Sequence, residues 1–93
     1  MTLHILNTSP SDRTTFLSCR QALSDEDTLL LIEDGTYWAL PLHRRELSHL
    51  SARVVVLAPD CQARGIGTDS LNEVDDAGFV ALTVQHTRIV SWF

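Results

Sequence analysis

The sequence predicts an α/β fold with a mostly parallel sheet, and three observations carry that prediction. Leu29-Leu30-Leu31-Ile32 is a continuous apolar run ending in Glu33-Asp34-Gly35, the pattern of a short strand buried on both faces. Arg53-Val54-Val55-Val56-Leu57 contains a second such run, β-branched and uninterrupted. Around these runs lie segments with helix-start signals and helical spacing of apolar residues, so that strands alternate with helices. The Glu-Asp-Gly turn then falls at the carboxyl end of its strand, the edge where open α/β sheets place their functional loops.

The chain has 93 residues, enough for a single domain over 1–93 with no second core. Its 44% hydrophobic and 20% charged residues are those of an ordinary globular chain. A three-layer domain this short needs short helices and lean loops, and leaves apolar surface for a partner. The net charge is -5 and all seven basic residues are Arg. They form no stripe, and Arg44-Arg45, the one doublet, reads as a solvated helix face. Direct nucleic-acid binding requires concentrated positive charge, so it is not expected. No stretch approaches the roughly 20 apolar residues that span a bilayer. Met1-Thr2-Leu3-His4 has neither the charged nor the apolar region of a secretory signal. A cytoplasmic protein is expected, with Cys19 and Cys61 as reduced thiols.

Leu3-His4-Ile5-Leu6 reads as the first strand and Asn7 to Asp12 as the turn after it. Ser9-Pro10-Ser11-Asp12 combines proline near a first turn with oxygen-bearing N-cap candidates. The helix that follows runs to about Leu23, with Phe16, Cys19 and Leu23 on one face. Ser24 to Asp27 closes it, and the buried strand 28–32 comes next. Gly35 is expected to end that strand with a backbone free to turn either way. Thr36 to Pro41 fits a strand end, a short helix or a packed loop, and Pro41 forbids a long helix through it. His43 to Leu50 reads as helical, with Leu42, Leu47 and Leu50 as a partial apolar face. After the strand Arg53–Leu57, Pro59-Asp60 opens one helical turn through Arg64, stopped by Gly65-Ile66-Gly67. Leu71 to Val74 is a short strand candidate. Asp75-Asp76 start a helix reaching about His86, the two acids favouring the positive end of its dipole. Ile89 to Phe93 ends the chain as a strand or docked tail. The sheet therefore has about four to five strands.

Cys19 is the sharpest candidate for chemistry. It lies in the first helix after the first strand, near the functional edge, and Arg20 beside it favours thiolate. Its place between Phe16 and Leu23 equally suits a small buried hydrophobe. Cys61 stands near a helix N-terminus, which favours thiolate, but the adjacent Asp60 opposes it and a packing role is the other reading. His43 and His49 are six apart, and no histidine pair has the spacing of a metal site. His86, at a helix end, is placed for a cation to complement the dipole. Gly65-Ile66-Gly67 lacks the remainder of any phosphate-binding fingerprint. Asp34-Gly35 offers a substrate-positioning site or simply a turn. Trp38, Trp92 and Phe93 offer a docking surface or a cap on the core.

Taken together, these residues form a recognisable pattern. Leu3-His4-Ile5-Leu6-Asn7 with Ser9-Pro10, Leu29 to Gly35 with Tyr37 and Ala39, Ala63-Arg64-Gly65, Gly78-Phe79-Val80 with Leu82-Thr83, His86 and Ser91-Trp92 resemble the TusB/DsrH family, end to end. The resemblance implies a three-layer α/β/α domain acting as the smallest subunit of a heteromeric sulfur-relay complex. Its sister subunits would be TusC/DsrF-like and TusD/DsrE-like chains, usually in a dimer of heterotrimers. Sulfur would arrive as persulfide from TusA and leave to a TusE/DsrC-like carrier. In the Tus branch the end product is 2-thiolated wobble uridine in tRNA; in the Dsr branch the complex serves dissimilatory sulfur oxidation. The main persulfide cysteine belongs to the TusD/DsrE subunit. Cys19 matches a first-helix cysteine that some members carry, an auxiliary persulfide site. Cys61 matches no family cysteine. Persulfide relay needs a thiolate and an attacking partner, and no cofactor is implied. Two rival expectations are a DsrH-type role with Cys19 as a persulfide carrier, and a free-standing α/β binding module.

Overall fold

The computed structural model describes residues 1–93. Strands β1 (Thr2–Leu6), β2 (Thr28–Leu31), β3 (Arg53–Leu57), β4 (Asn72–Val74) and β5 (Arg88–Trp92) alternate with helices α1 (Arg13–Ala22), α2 (Pro41–Ser48), α3 (Ala58–Ala63) and α4 (Asp76–Gln85). A 3₁₀ segment, Glu33–Ala39, joins β2 to α2. The sheet order is β4-β3-β2-β1-β5 and every neighbouring pair is parallel. Of residues 89–93, open between strand and tail from sequence, 89–92 belong to the strand and Phe93 follows it.

Three successive steps in one direction across the sheet put α1, α2 and α3 on one face, because parallel crossovers are right-handed. The step from β4 back past β1 to β5 reverses direction and puts α4 on the other face. Side chains alternate accordingly. Leu6, Leu29, Leu31 and Val56 join Phe16, Cys19, Trp38, Leu47 and Cys61 in one core layer. Leu3, Ile5, Leu30, Ile32, Val55 and Leu57 meet Leu82 and Phe79 of α4 in the other. This is the three-layer α/β/α architecture.

Helix starts follow the side-chain chemistry. Asp12 caps α1, its carboxylate accepting from the Thr15 N–H at 3.2 Å and the Thr15 hydroxyl at 2.7 Å. Asp75 caps α4 by accepting from the Gly78 N–H at 2.8 Å. Pro41 is the first residue of α2, where its missing N–H has no helical partner to lose. That phase corrects one expectation: Leu47 is buried, but Leu42 is 84% exposed. The two are five positions apart, about 140° round the helix.

A second correction concerns Gly35. It has no positive φ; the left-handed residue of this turn is Glu33, at 49°. Glycine is required because a Cβ would run into the carbonyl oxygen of Leu6. The 3₁₀ segment is thereby pressed against the end of β1, with Thr36, Trp38 and Ala39 fully buried. Gly65, at φ 66°, stops α3 as expected.

Candidate functional site

The connections leaving β3 and β4 part to opposite faces of the sheet, and such a divergence opens a crevice at the strand ends. Here it is a cavity of about 410 Å³ lined by Ala58, Glu73, Val74, Asp75 and Gly78. Its two carboxylates are already engaged. Asp75 caps α4, and Glu73 Oε2 accepts from the Thr68 hydroxyl at 2.6 Å. The lining offers neither thiol nor imidazole, so the crevice holds no nucleophile or base of the sulfur-relay kind.

The neighbouring loops after β2 and β3 are stitched together. Asp60 Oδ2 accepts from the Glu33 N–H at 2.6 Å, and Asp34 Oδ1 accepts from Arg64 Nε at 3.1 Å. Arg64 also donates to the Asp60 carbonyl and lies 6.0 Å over the Tyr37 ring. Asp34, Gly35, Tyr37 and Arg64 thus form one cluster from two separate stretches of sequence. Arg44 differs from its sequence reading in the same sense. Its guanidinium donates to the carbonyls of Ala39, Asp69 and Gly67, strapping the 68–71 loop to α2 rather than facing solvent alone.

Both thiols lie inside the molecule. Cys19 is 1% exposed, on the seventh residue of α1 and so about 9 Å along the helix from the strand-end edge. Burial pushes its thiol up from 9.0 to about 12, so the neutral form dominates at physiological pH. Cys61 is equally buried. Burial raises its thiol first, and the charges of Asp60 and Glu73 raise it further, against smaller opposing effects of Arg64 and Thr36. Both cysteines are free and belong to the same core layer.

A buried polar network escaped the sequence reading. Trp92 Nε1 donates to His4 Nδ1 at 3.0 Å, which leaves His4 Nε2 as the nitrogen facing Asp27 Oδ2, also at 3.0 Å. Asp27 accepts in addition from the Ser24 and Thr2 N–H groups, each at 3.0 Å. Burial pushes its carboxyl up, but these bonds outweigh it and hold the group at about 2 instead of 3.8. With Nδ1 committed to Trp92, the His4 ring offers no free lone pair to a substrate. No local pattern could reveal this network, since His4 stands 23 residues from Asp27 and 88 from Trp92.

The remaining candidates are structural as well. His86 is buried, its Nδ1 2.7 Å from the Leu82 carbonyl and its Nε2 2.9 Å from the Thr28 hydroxyl. Both ring nitrogens are thus engaged inside the fold. Trp38 stacks on Phe16 at 3.9 Å and meets His43 edge-on at 5.6 Å, inside the core rather than on a docking surface. Of the three aromatics singled out from sequence, only Phe93 stands exposed, at 73%.

Comparison with known proteins agrees with this architecture. A family model described as DsrH-like protein matches residues 8–89. Protein TusB of Shigella flexneri is 36% identical over 95 residues, covering 97% of this chain and 99% of its own. Protein TusB of Escherichia fergusonii matches equally, at 36%, and that of Escherichia coli strain HS is 35% identical over the same span. Among solved structures, the solution structure of protein Tm0979 from Thermotoga maritima superposes with a TM-score of 0.70 at 24% identity, over 92% of this chain and 94% of that one. That likeness bears on the fold alone. On the strength of the family match and the near-complete span of its TusB relatives, the chain belongs to the TusB/DsrH family.

Proposed function

We propose that the chain is an assembly subunit of a heteromeric sulfurtransferase complex that relays persulfide sulfur toward 2-thiolation of the tRNA wobble uridine. Its partners are TusC/DsrF-like and TusD/DsrE-like subunits, with TusA and a TusE/DsrC-like carrier as donor and acceptor. The burial of both thiols carries this reading. In persulfide transfer the acceptor thiolate attacks the outer sulfur of the donor, and the donor sulfur leaves as thiolate. A thiol 1% exposed and raised to about 12 neither attacks nor is attacked while the core is closed. The reacting cysteines accordingly belong to the sister chains, and this subunit supplies surface. Cys19 serves as an auxiliary persulfide site only where assembly opens the layer between α1 and the sheet. The TusB relatives favour the tRNA branch over dissimilatory sulfur oxidation.

An affinity pull-down of the tagged chain from its own cells, with native mass and peptide identification, tests the proposal. Two small α/β partners in equal amounts are expected, and a gain of about 32 Da should map to a partner cysteine. Recovery of a lone monomer or homodimer under mild salt would overturn it. Cys19→Ser should leave assembly and sulfur flux unchanged; a loss of flux with intact assembly would make Cys19 an obligatory relay station.

A further inference from the structure

We infer that the outward face of α4 is where a sister subunit of this complex docks, through an apolar helix flanked by basic side chains. The inference rests on the heteromeric reading above and adds the surface and the chemistry of what covers it. Helix α4 is apolar on both faces. Its inner face sends Leu82 and Phe79 into the sheet. Its outer face carries Ala77, Val80, Ala81 and Val84, all exposed, at the i, i+3, i+4, i+7 spacing of a single stripe. Val80 is 63% and Val84 79% exposed.

An outer helix of a free-standing domain would carry charge there, as α2 does with Arg45 and Glu46. Ile89, 49% exposed, lies on the same face of the sheet at its β5 edge, since its register partner Leu3 points into the α4 layer. By contrast Leu42 is a single exposed leucine among polar neighbours, which is ordinary surface. The alternation of alanine and valine forms i, i+4 ridges and shallow grooves that accept the ridges of another helix.

Charge decides the occupant. The N-terminal end of the stripe is rimmed by Asp75 and Asp76, and only Arg88 lies beyond its other end. The whole chain carries a net charge of -5. Two copies would bring like fields together, whereas a partner with Lys or Arg beside its apolar helix complements the acidic rim and is steered to it.

The experiment co-expresses the chain with the two sister subunits of its own cells and measures association by native mass and by titration over a salt series. Val80→Lys and Val84→Lys should each weaken association about thirty-fold or more. Leu42→Lys should leave it unchanged, and all three variants should keep the circular-dichroism spectrum and thermal midpoint of the parent. Association of the parent should weaken with salt, and Asp76→Asn should flatten that dependence. Tight association of Val84→Lys would overturn the inference while leaving the heteromeric complex standing. A parent homodimer dissolved by Val84→Lys would also overturn it, assigning the face to a second copy. Failure of the parent to associate with either sister would instead refute the heteromeric reading itself.

Discussion

At the scale of single residues, two of the positions that carry the family likeness prove to be architectural. His4 and Trp92 stand near opposite ends of the chain and meet in one half-buried hydrogen bond, with Asp27 completing the network. Trp92→Phe keeps the apolar ring but leaves His4 Nδ1 without its donor. We expect a loss of about 1–3 kcal/mol, read as a lower denaturant midpoint with unchanged slope. Asp27 gives a pH signature of defined sign. Its carboxyl is held at about 2 in the folded chain against 3.8 ordinarily, so its contribution is complete above pH 4. That contribution, ~2 kcal/mol, is lost as pH falls from 4 toward 2. Denaturant titrations at several pH values should show the fall, and Asp27→Asn should remove this part of it while lowering stability at neutral pH.

At the scale of elements, the segment between β2 and α2 shows how a close approach outranks backbone freedom. The Glu-Asp-Gly turn looks like a glycine chosen for an unusual φ, yet Glu33 takes the left-handed conformation and Gly35 does not. What Gly35 supplies is the absence of a Cβ beside the Leu6 carbonyl. Gly35→Ala should therefore force backbone apart and cost about 2–3 kcal/mol in chemical denaturation. Helix α4 illustrates the complementary point. It is apolar on two opposite faces, with Asp76, Thr83 and Gln85 on the flanks, and the reversal of the chain between β4 and β5 sets which face is covered.

At the scale of the whole molecule, burial of the two thiols in one layer ties their reactivity to global opening. Cys19 and Cys61 come from α1 and α3 and share the core with Phe16, Trp38 and Leu47. Labelling by a soluble disulfide reagent should be negligible in the isolated folded protein. It should rise for both cysteines together, in step with denaturant unfolding. Early labelling of Cys19 alone would identify a local opening of α1, the motion an auxiliary persulfide role requires. No helix is long and apolar enough to cross a membrane, and the exposed apolar residues concentrate instead on α4, Ile89 and Phe93.

The order of strands and helices was legible in the sequence, because each depends on residues within a few positions of one another. The Leu29–Ile32 and Val54–Leu57 runs and the Asp12 and Asp75 caps act locally, and their elements stand where those signals put them, whereas the helix read from His43 starts two residues earlier, at Pro41. The family pattern was legible too, since its motifs are contiguous stretches. The site was not. Whether Cys19 is a thiolate beside Arg20 or a packed thiol depends on what lies over it, and the sheet and the 3₁₀ segment arrive from elsewhere in the chain. The His4–Asp27–Trp92 network, the Asp34–Arg64 pair and the strap made by Arg44 join residues 23 to 88 positions apart, beyond the reach of any periodicity. Only the tertiary structure decided these, because desolvation and hydrogen-bond geometry arise where distant segments meet in space.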